Sequence, residues 1–220
     1  MIKNDLYIIG AGSVGGHLAA NLEQYTLSHD LKGFFDDDPE KHGCSYFGVP
    51  VVGPVDDALH LKSVHIAIGI AFPNAKKAIL EKLAVNNTLN YPNFIHPSSW
   101  ISNHVTFGQG IIIYPGTSIN YGSSIGDFAV FNMNCALGHH TKVGNCVSFA
   151  PGVNTGGHTA IGDEVEMGIG CSTLQGIHIG DRAIIGGQCM VTKDTPSDCI
   201  AKGVPASFTP IKKYKMNMHK

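Results

Sequence analysis

A left-handed parallel β-helix (all-β, built from hexapeptide repeats) preceded by an α/β half-Rossmann domain is the fold that this 220-residue sequence predicts, and three observations carry it. A triplet recurs every 18 residues: Phe107-Gly108-Gln109, Ile125-Gly126-Asp127, Val143-Gly144-Asn145, Ile161-Gly162-Asp163 and Ile179-Gly180-Asp181. Stepping in sixes from Ile95 to Val191 meets 15 apolar residues and two threonines in 17 positions, where chance at 43% apolar composition gives about seven apolar residues. Near the start, an apolar run, a G-x-G-x-x-G turn and a helical stretch follow one another, the order of a phosphate-cradling unit.

In chain order, Leu6–Ile9 reads as a strand, Gly10 to Gly16 as the glycine turn, and the residues from His17 as a helix. A second strand, Leu31 to Phe35, ends in Asp36-Asp37-Asp38-Pro39, where carboxylates can meet ribose or base donors. A third, Val64 to Gly69, precedes a helix from Asn74 to Ala84. The resulting β-α-β-β-α unit over residues 1–92 holds one nucleotide and leaves little room for a nicotinamide half, which disfavours hydride transfer. Its expected nucleotide contacts are Gly10, Gly12, Ser13, Val14, Gly15, Asp36, Asp37 and Gly69.

Residues 93–195 hold the repeats. Four residues after each large apolar position comes a small or β-branched one, including Val105, Ile111, Ala129, Cys135, Val147, Cys171, Ala183 and Cys189. One large and one small inward residue per six suit a narrow triangular prism of five to six coils, stacked at the ~4.8 Å spacing of a β-ladder. Cys135, Cys171 and Cys189 therefore face inward, whereas Cys146 is outward by register. Flat prism faces, together with the habits of this fold, predict a trimer with sites between neighbours. Residues 196–220 read as an exit loop and a basic tail.

Composition narrows the function. Lysine plus arginine total 15 against 17 acidic residues, a formal charge of −2, so phosphate neutralisation on a nucleic acid is not expected. No apolar run approaches the ~18 residues of a membrane span. The first residues carry no cleavage pattern, and none of the six cysteines forms a C-x-x-C, so a cytoplasmic protein with reduced thiols is expected.

Taken together, GAGSVGGH (Gly10 to His17), GFFDDDPEKHG (Gly33 to Gly43), HIAIG (His65 to Gly69), the hexapeptide run and Gly203-Val204-Pro205-Ala206 resemble the nucleotide-aminosugar N-acetyltransferases and their sialic-acid O-acetyltransferase relatives, over about residues 5–208. The resemblance implies an N-terminal domain that holds a nucleotide-linked sugar, a β-helix that binds acetyl-CoA, and a homotrimer. It places the family's catalytic base on His139, in the stretch Asn132 to His140. An imidazole there suits proton removal from an attacking amine or hydroxyl. Three departures stand out. His140 replaces the carboxylate that orients the base, Ser148 replaces the histidine near the thioester, and Ser13-Val14-Gly15 replaces the usual Gly-His-Gly. The Asn-x-x-x-Arg that often follows Gly69 is also missing.

For acetyl-CoA, Gly168-Ile169-Gly170 and Gly186-Gly187 offer backbone N–H groups to an amide chain, Ser148 stands near the thioester, and Lys193 or Lys212, Lys213 and Lys215 can meet phosphates. No metal is expected. Direct transfer from acetyl-CoA to the amino group of a nucleotide sugar, with His139 as base, is the reading carried forward, and O-acetylation of a sugar such as sialic acid is the alternative. Two rivals differ in class. One is a non-catalytic nucleotide-sugar-binding protein, suggested by the missing carboxylate. The other is a zinc enzyme of the carbonic-anhydrase type, built on His140, His158 and His178; it lacks that family's five-residue histidine pair and leaves the nucleotide domain unexplained.

Overall fold

The computed structural model describes residues 3–25 and 28–211. Strand β1 (Asn4–Ile9) leads through the glycine turn into helix α1 (Ser13–Ala20) and a short α2 (Leu22–Tyr25). Then come β2 (His29–Phe35), β3 (Ser45–Tyr46), β4 (Val49–Gly53), β5 (His65–Ile68) and α3 (Pro73–Leu83). The sheet order is β3-β4-β2-β1-β5, with β2 and β5 parallel to β1 on either side. The predicted strands and helices are present, but the β3–β4 hairpin was not anticipated. Tyr46 and Val49 pair across the turn Phe47-Gly48, a signal too short to register as apolar periodicity.

Seventeen two-residue strands follow at six-residue intervals, from β6 (Phe94–Ile95) to β22 (Met190–Val191). They fall into three parallel sheets in which each strand pairs with those 18 residues before and after it, making the triangular prism of a left-handed β-helix. The first face carries the strands beginning at Phe94, Ile112, Val130, Ser148, Glu166 and Ile184. The second carries those at Trp100, Ser118, Ala136, Asn154, Ser172 and Met190, and the third those at Thr106, Ser124, Lys142, Ala160 and His178.

Both inward registers are buried from Ile111 onward as the sequence predicts, and Ile95, Ile101, Val105 and Phe107 of the first coil are partly buried; Phe131 and Phe149 stack 4.5 Å apart. Thr155 and Thr173, the two polar members of the large register, lie within hydrogen-bond reach of Thr141 and Thr159, 3.3 and 3.1 Å away, so their hydroxyls are satisfied inside the prism. Corners turn through a left-handed residue every six positions; glycine serves at 110, 116, 122, 152, 170 and 176, and His104, Phe128, Asn134, His140, Cys146, His158 and Glu164 adopt the same conformation. The 18-residue triplet has a second use. The side-chain oxygens of Asp127, Asn145, Asp163 and Asp181 each accept a backbone N–H from the coil before, at 2.6 to 3.0 Å. Removing one rung by Asp163→Ala is expected to cost about 1 kcal/mol, read from urea denaturation at fixed protein concentration.

The α/β domain docks on the first face. On one side of its sheet, Leu6, Leu18 and Phe34 share a core with Phe94, Ile112, Tyr114 and Val130; on the other, Ile9, Phe35, Ile66 and Leu83 share one with Phe128 and Cys146. Cys146 is outward from the prism as its register predicts, yet it is buried under this domain, and burial pushes its thiol pKa up. Past the last coil, the expected exit loop is a hairpin of β23 (Cys199–Lys202) and β24 (Ser207–Pro210) that extends the first face. Lys212, Lys213 and Lys215 lie outside the described residues.

Candidate active site

The glycine turn is built for close approach of backbone. Gly10 adopts φ +94°, a Cβ on Gly15 would collide with the Gly10 carbonyl, and Gly69 lies so near that a Cβ there would sit 2.6 Å from the Gly15 Cα. Gly15 N–H donates to the Gly69 carbonyl and Gly69 N–H to that of Ile9, which fixes the turn between β1 and β5. Among the described residues, no partner meets the N–H groups of Gly12, Ser13 and Val14 at the start of α1, and a Cβ on Gly12 would meet open space. This is the donor arrangement that a phosphate fits.

Asp36 and Asp37 already have work inside the protein. Asp36 accepts the Ala11 N–H at 2.8 Å and pairs with Lys41 at 2.9 Å. Burial alone would raise its pKa, but Lys41 and the N–H groups of Asp38 and Ala11 outweigh that and hold it low. Asp37 accepts the Val55 N–H and a contact from Lys82.

His139 and His140 lie at the corner between the second and third faces, the edge opposite the face that carries the α/β domain. Their Nδ1 atoms are 3.0 Å apart, within hydrogen-bond distance. Tyr121, one coil back, stacks on His139 at 11°, and His158, one coil on, stacks on His140 at 5°. Room for the His139 ring comes from Gly157, where a Cβ would stand 2.7 Å from Nε2. His139 is half-buried, and His140 and His158 are exposed. The histidine triple first considered for a metal is not assembled: His178 lies on the third face, and His139 is the residue that joins His140 and His158.

Ser148 is on the first face, away from this corner. It is buried, donates its hydroxyl to the Ala71 carbonyl and accepts from Lys76 Nζ at 3.3 Å. Lys76, from α3, is fully buried and also donates to the Phe128 carbonyl at 2.8 Å. Burial, opposed by the nearby Cys146, pushes its amine down to about 7. Nothing in the sequence marks Lys76 out from Lys77, which reaches Glu164 on the surface. Next to Ser148 a pocket of about 120 Å³ opens between Val14, Ala71 and Phe72 of the domain and Asn132, Ala150 and Glu166 of the prism. Glu166, another residue without a sequence signal, is half-buried there, and burial raises its pKa.

The glycines expected to receive acetyl-CoA line the corner between the first and second faces, on adjacent coils. Gly168 and Gly170 do not offer free donors as expected, because their N–H groups bond to the Ile185 and Pro151 carbonyls. Among the described residues, the N–H groups of Ile169 and Gly187 are the ones in this stretch without a protein partner, and the Ile169 side chain is exposed beside them. Lys193 lies farther along, its amine 5.4 Å from the Phe208 ring centre.

A three-faced prism of six-residue units, fused to a parallel sheet with a phosphate-type turn, is the architecture of the hexapeptide-repeat sugar acyltransferases. No protein-family profile matches the chain, and no curated protein matches it by sequence. Solved structures do match. The chain is similar to GDP-perosamine N-acetyltransferase from Caulobacter crescentus, solved as a histidine mutant in complex with CoA and GDP-perosamine, at 26% identity, TM-score 0.82, and 93% and 96% coverage of the two chains. WeeI from Acinetobacter baumannii AYE shares the fold at 24% identity, TM-score 0.82 and 93% and 99% coverage. So does the acetyltransferase domain of PglB from Neisseria gonorrhoeae FA1090, in complex with acetyl coenzyme A, at 24% identity, TM-score 0.70 and 93% and 98% coverage. The resemblance read from the sequence to nucleotide-aminosugar N-acetyltransferases is borne out. No helix among the described residues is long and apolar enough to cross a membrane.

Proposed function

We propose that the chain transfers an acetyl group from acetyl-CoA to the amino group of a nucleotide-linked amino sugar. The observation that carries this is a single match spanning both domains, at 26% identity, to an enzyme solved with CoA and GDP-perosamine together. In this reading the nucleotide phosphates sit on the N–H groups of Gly12, Ser13 and Val14. The sugar enters the pocket bounded by Val14, Phe72 and Asn132. Glu166 gives that pocket an acidic wall, which suits an amine better than a neutral hydroxyl.

His139 is the base. If its Nδ1–H donates to His140 Nδ1, Nε2 keeps its lone pair for the substrate proton, so His140 acts as a positioning residue where relatives carry a carboxylate. The amine attacks the thioester carbonyl, its proton passes to Nε2, and the CoA thiolate leaves. The Ile169 and Gly187 N–H groups are donors for the pantetheine amides. A covalent acyl-cysteine is disfavoured, because Cys135 and Cys171 have thiols pushed up by burial to about 11 and about 12. A screen of nucleotide amino sugars and sialic acid with acetyl-CoA, following thiol release, tests the assignment. Release with sialic acid and none with any amino sugar would shift it to O-acetylation.

Within one chain His139 and the nucleotide-type domain point away from each other, which supports a trimer in which the base of one subunit serves the acceptor held by the next. Mixing two inactive variants tests this: His139→Ala, and Gly12→Asp, whose carboxylate would face the phosphates. Subunit exchange should restore part of the activity. A mixture that stays inactive, although exchange is demonstrated, would mean that each chain completes its own site.

A further inference from the structure

We propose that His139, His140 and His158 form a binding site for a divalent cation of the zinc or nickel type, and that an ion held there shuts off acetyl transfer. The first half goes beyond the acetyltransferase reading; the second rests on it.

One ring nitrogen from each of the three histidines falls within 4.8 Å of the others, and the donor set holds no carboxylate. Imidazole donors without carboxylates favour zinc, copper and nickel over magnesium or calcium. At zinc–nitrogen distances of about 2.0–2.1 Å, tetrahedral donors stand about 3.3 Å apart. The His139 and His140 Nδ1 atoms are already 3.0 Å apart. The His158 ring lies perpendicular to His139 at 4.9 Å and parallel to His140 at 4.8 Å. Since His140 and His158 are exposed, rotation of their side chains suffices to bring the third nitrogen in.

The fold explains why such a set arises. His140 and His158 occupy the left-handed corner position of consecutive coils, which aligns their rings at the coil spacing. The same column has Gly122 below, where a Cβ would stand 2.7 Å from the His140 ring, and Gly176 above, where it would meet open space. The fourth coordination position is left to water. A metal on His139 Nδ1 would displace the hydrogen held there and fix the ring hydrogen on Nε2, which leaves no lone pair for the acceptor's proton, and so it would inhibit rather than assist.

Untagged full-length protein should be dialysed to equilibrium against zinc chloride, with bound metal measured by atomic absorption. About one zinc per chain is expected at micromolar free ion, with the affinity falling at least about tenfold in His158→Ala and in His140→Ala. Cys44→Ser, which removes the exposed thiol, should bind as the parent does. Cobalt substitution should give the visible absorption of a tetrahedral nitrogen site. In turnover assays zinc should inhibit the parent, and His158→Ala should turn over at the parent's metal-free rate while resisting zinc. No binding at ~100 µM zinc, a level far above the free zinc that a three-histidine site needs, or binding that survives both histidine variants, would overturn the site. Binding without inhibition would overturn the second half. The dialysis needs no substrate, so its outcome is independent of whether the acetyltransferase assignment holds.

Discussion

His139→Ala is expected to lower kcat for acetyl transfer by roughly 10²–10⁴-fold, the usual worth of a general base, while CoA and nucleotide-sugar binding stay near the parent's values. The ring contributes nothing to the prism core, because it sits at a corner in space provided by Gly157, so the variant should keep its fold. Steady-state kinetics alongside calorimetric binding of CoA separate the two effects. An unchanged kcat would remove His139 from the chemistry altogether, whatever the substrate.

Lys76 carries the second large expectation, and here the readout is stability. Its amine falls from 10.5 in the unfolded chain to about 7 in the folded one, chiefly because it is out of water. Between those values the unfolded chain binds a proton that the folded chain lacks, so the stability of the parent rises with pH from about 7 to 10.5. Below about 7 both states are protonated and the full burial penalty applies, a cost on the order of 5 kcal/mol. Lys76→Met fills similar space with no ionisable group, although it leaves the Phe128 carbonyl without this donor. Its stability relative to the parent should therefore be most favourable below about pH 7 and should fall by roughly 3 kcal/mol between pH 7 and pH 9.5. Urea titrations at the two pH values, at one protein concentration because assembly adds to stability, measure that difference. Parallel pH profiles for parent and variant would mean that the amine ionises in the fold as it does in water.

Lys76 also shows where a sequence stops being readable. The prism was legible because its core is periodic: each coil repeats the same steric demand, so Ile125, Val143 and Ile161 report one another. The glycine turn was legible because close backbone approach leaves few choices at Gly10 and Gly15. His139 entered as a candidate through the family resemblance, and its place at a corner followed from register. By contrast, Lys76, Glu166 and the covering of Cys146 depend on how the α/β domain rests against the first face. That contact is made once, between segments about 70 residues apart, and leaves no period to detect. The engagement of Asp36 and Asp37 was hidden for a related reason, since their partners Ala11, Lys41, Val55 and Lys82 come from separate loops and helices. His158 was half legible: its spacing from His140 is 18, but the sequence paired it with His178, and face assignment was needed to choose His139 instead.

The six-residue period acts as a system of addresses on the prism. Each unit advances the chain by one face and three units return it to the same face, one coil further along. An insertion of 18 residues at a corner between 113 and 130 would lengthen the prism and keep every downstream side chain on its own edge, although Val130 and Ser148 would stand one coil farther from Phe94 and Ile112, on which the domain also rests. An insertion of six at the same place would keep all the strands and the core pattern, yet turn everything beyond it by a third of a revolution. His139 would then leave the edge opposite the docked domain for another one, and Ser148 would leave the face where Ala71 and Lys76 meet it. Two chains with the same core pattern would thus differ in which face carries their functional groups. Length changes in this repeat keep each group on its own face only when they are multiples of 18; those that are multiples of six alone send it to another face.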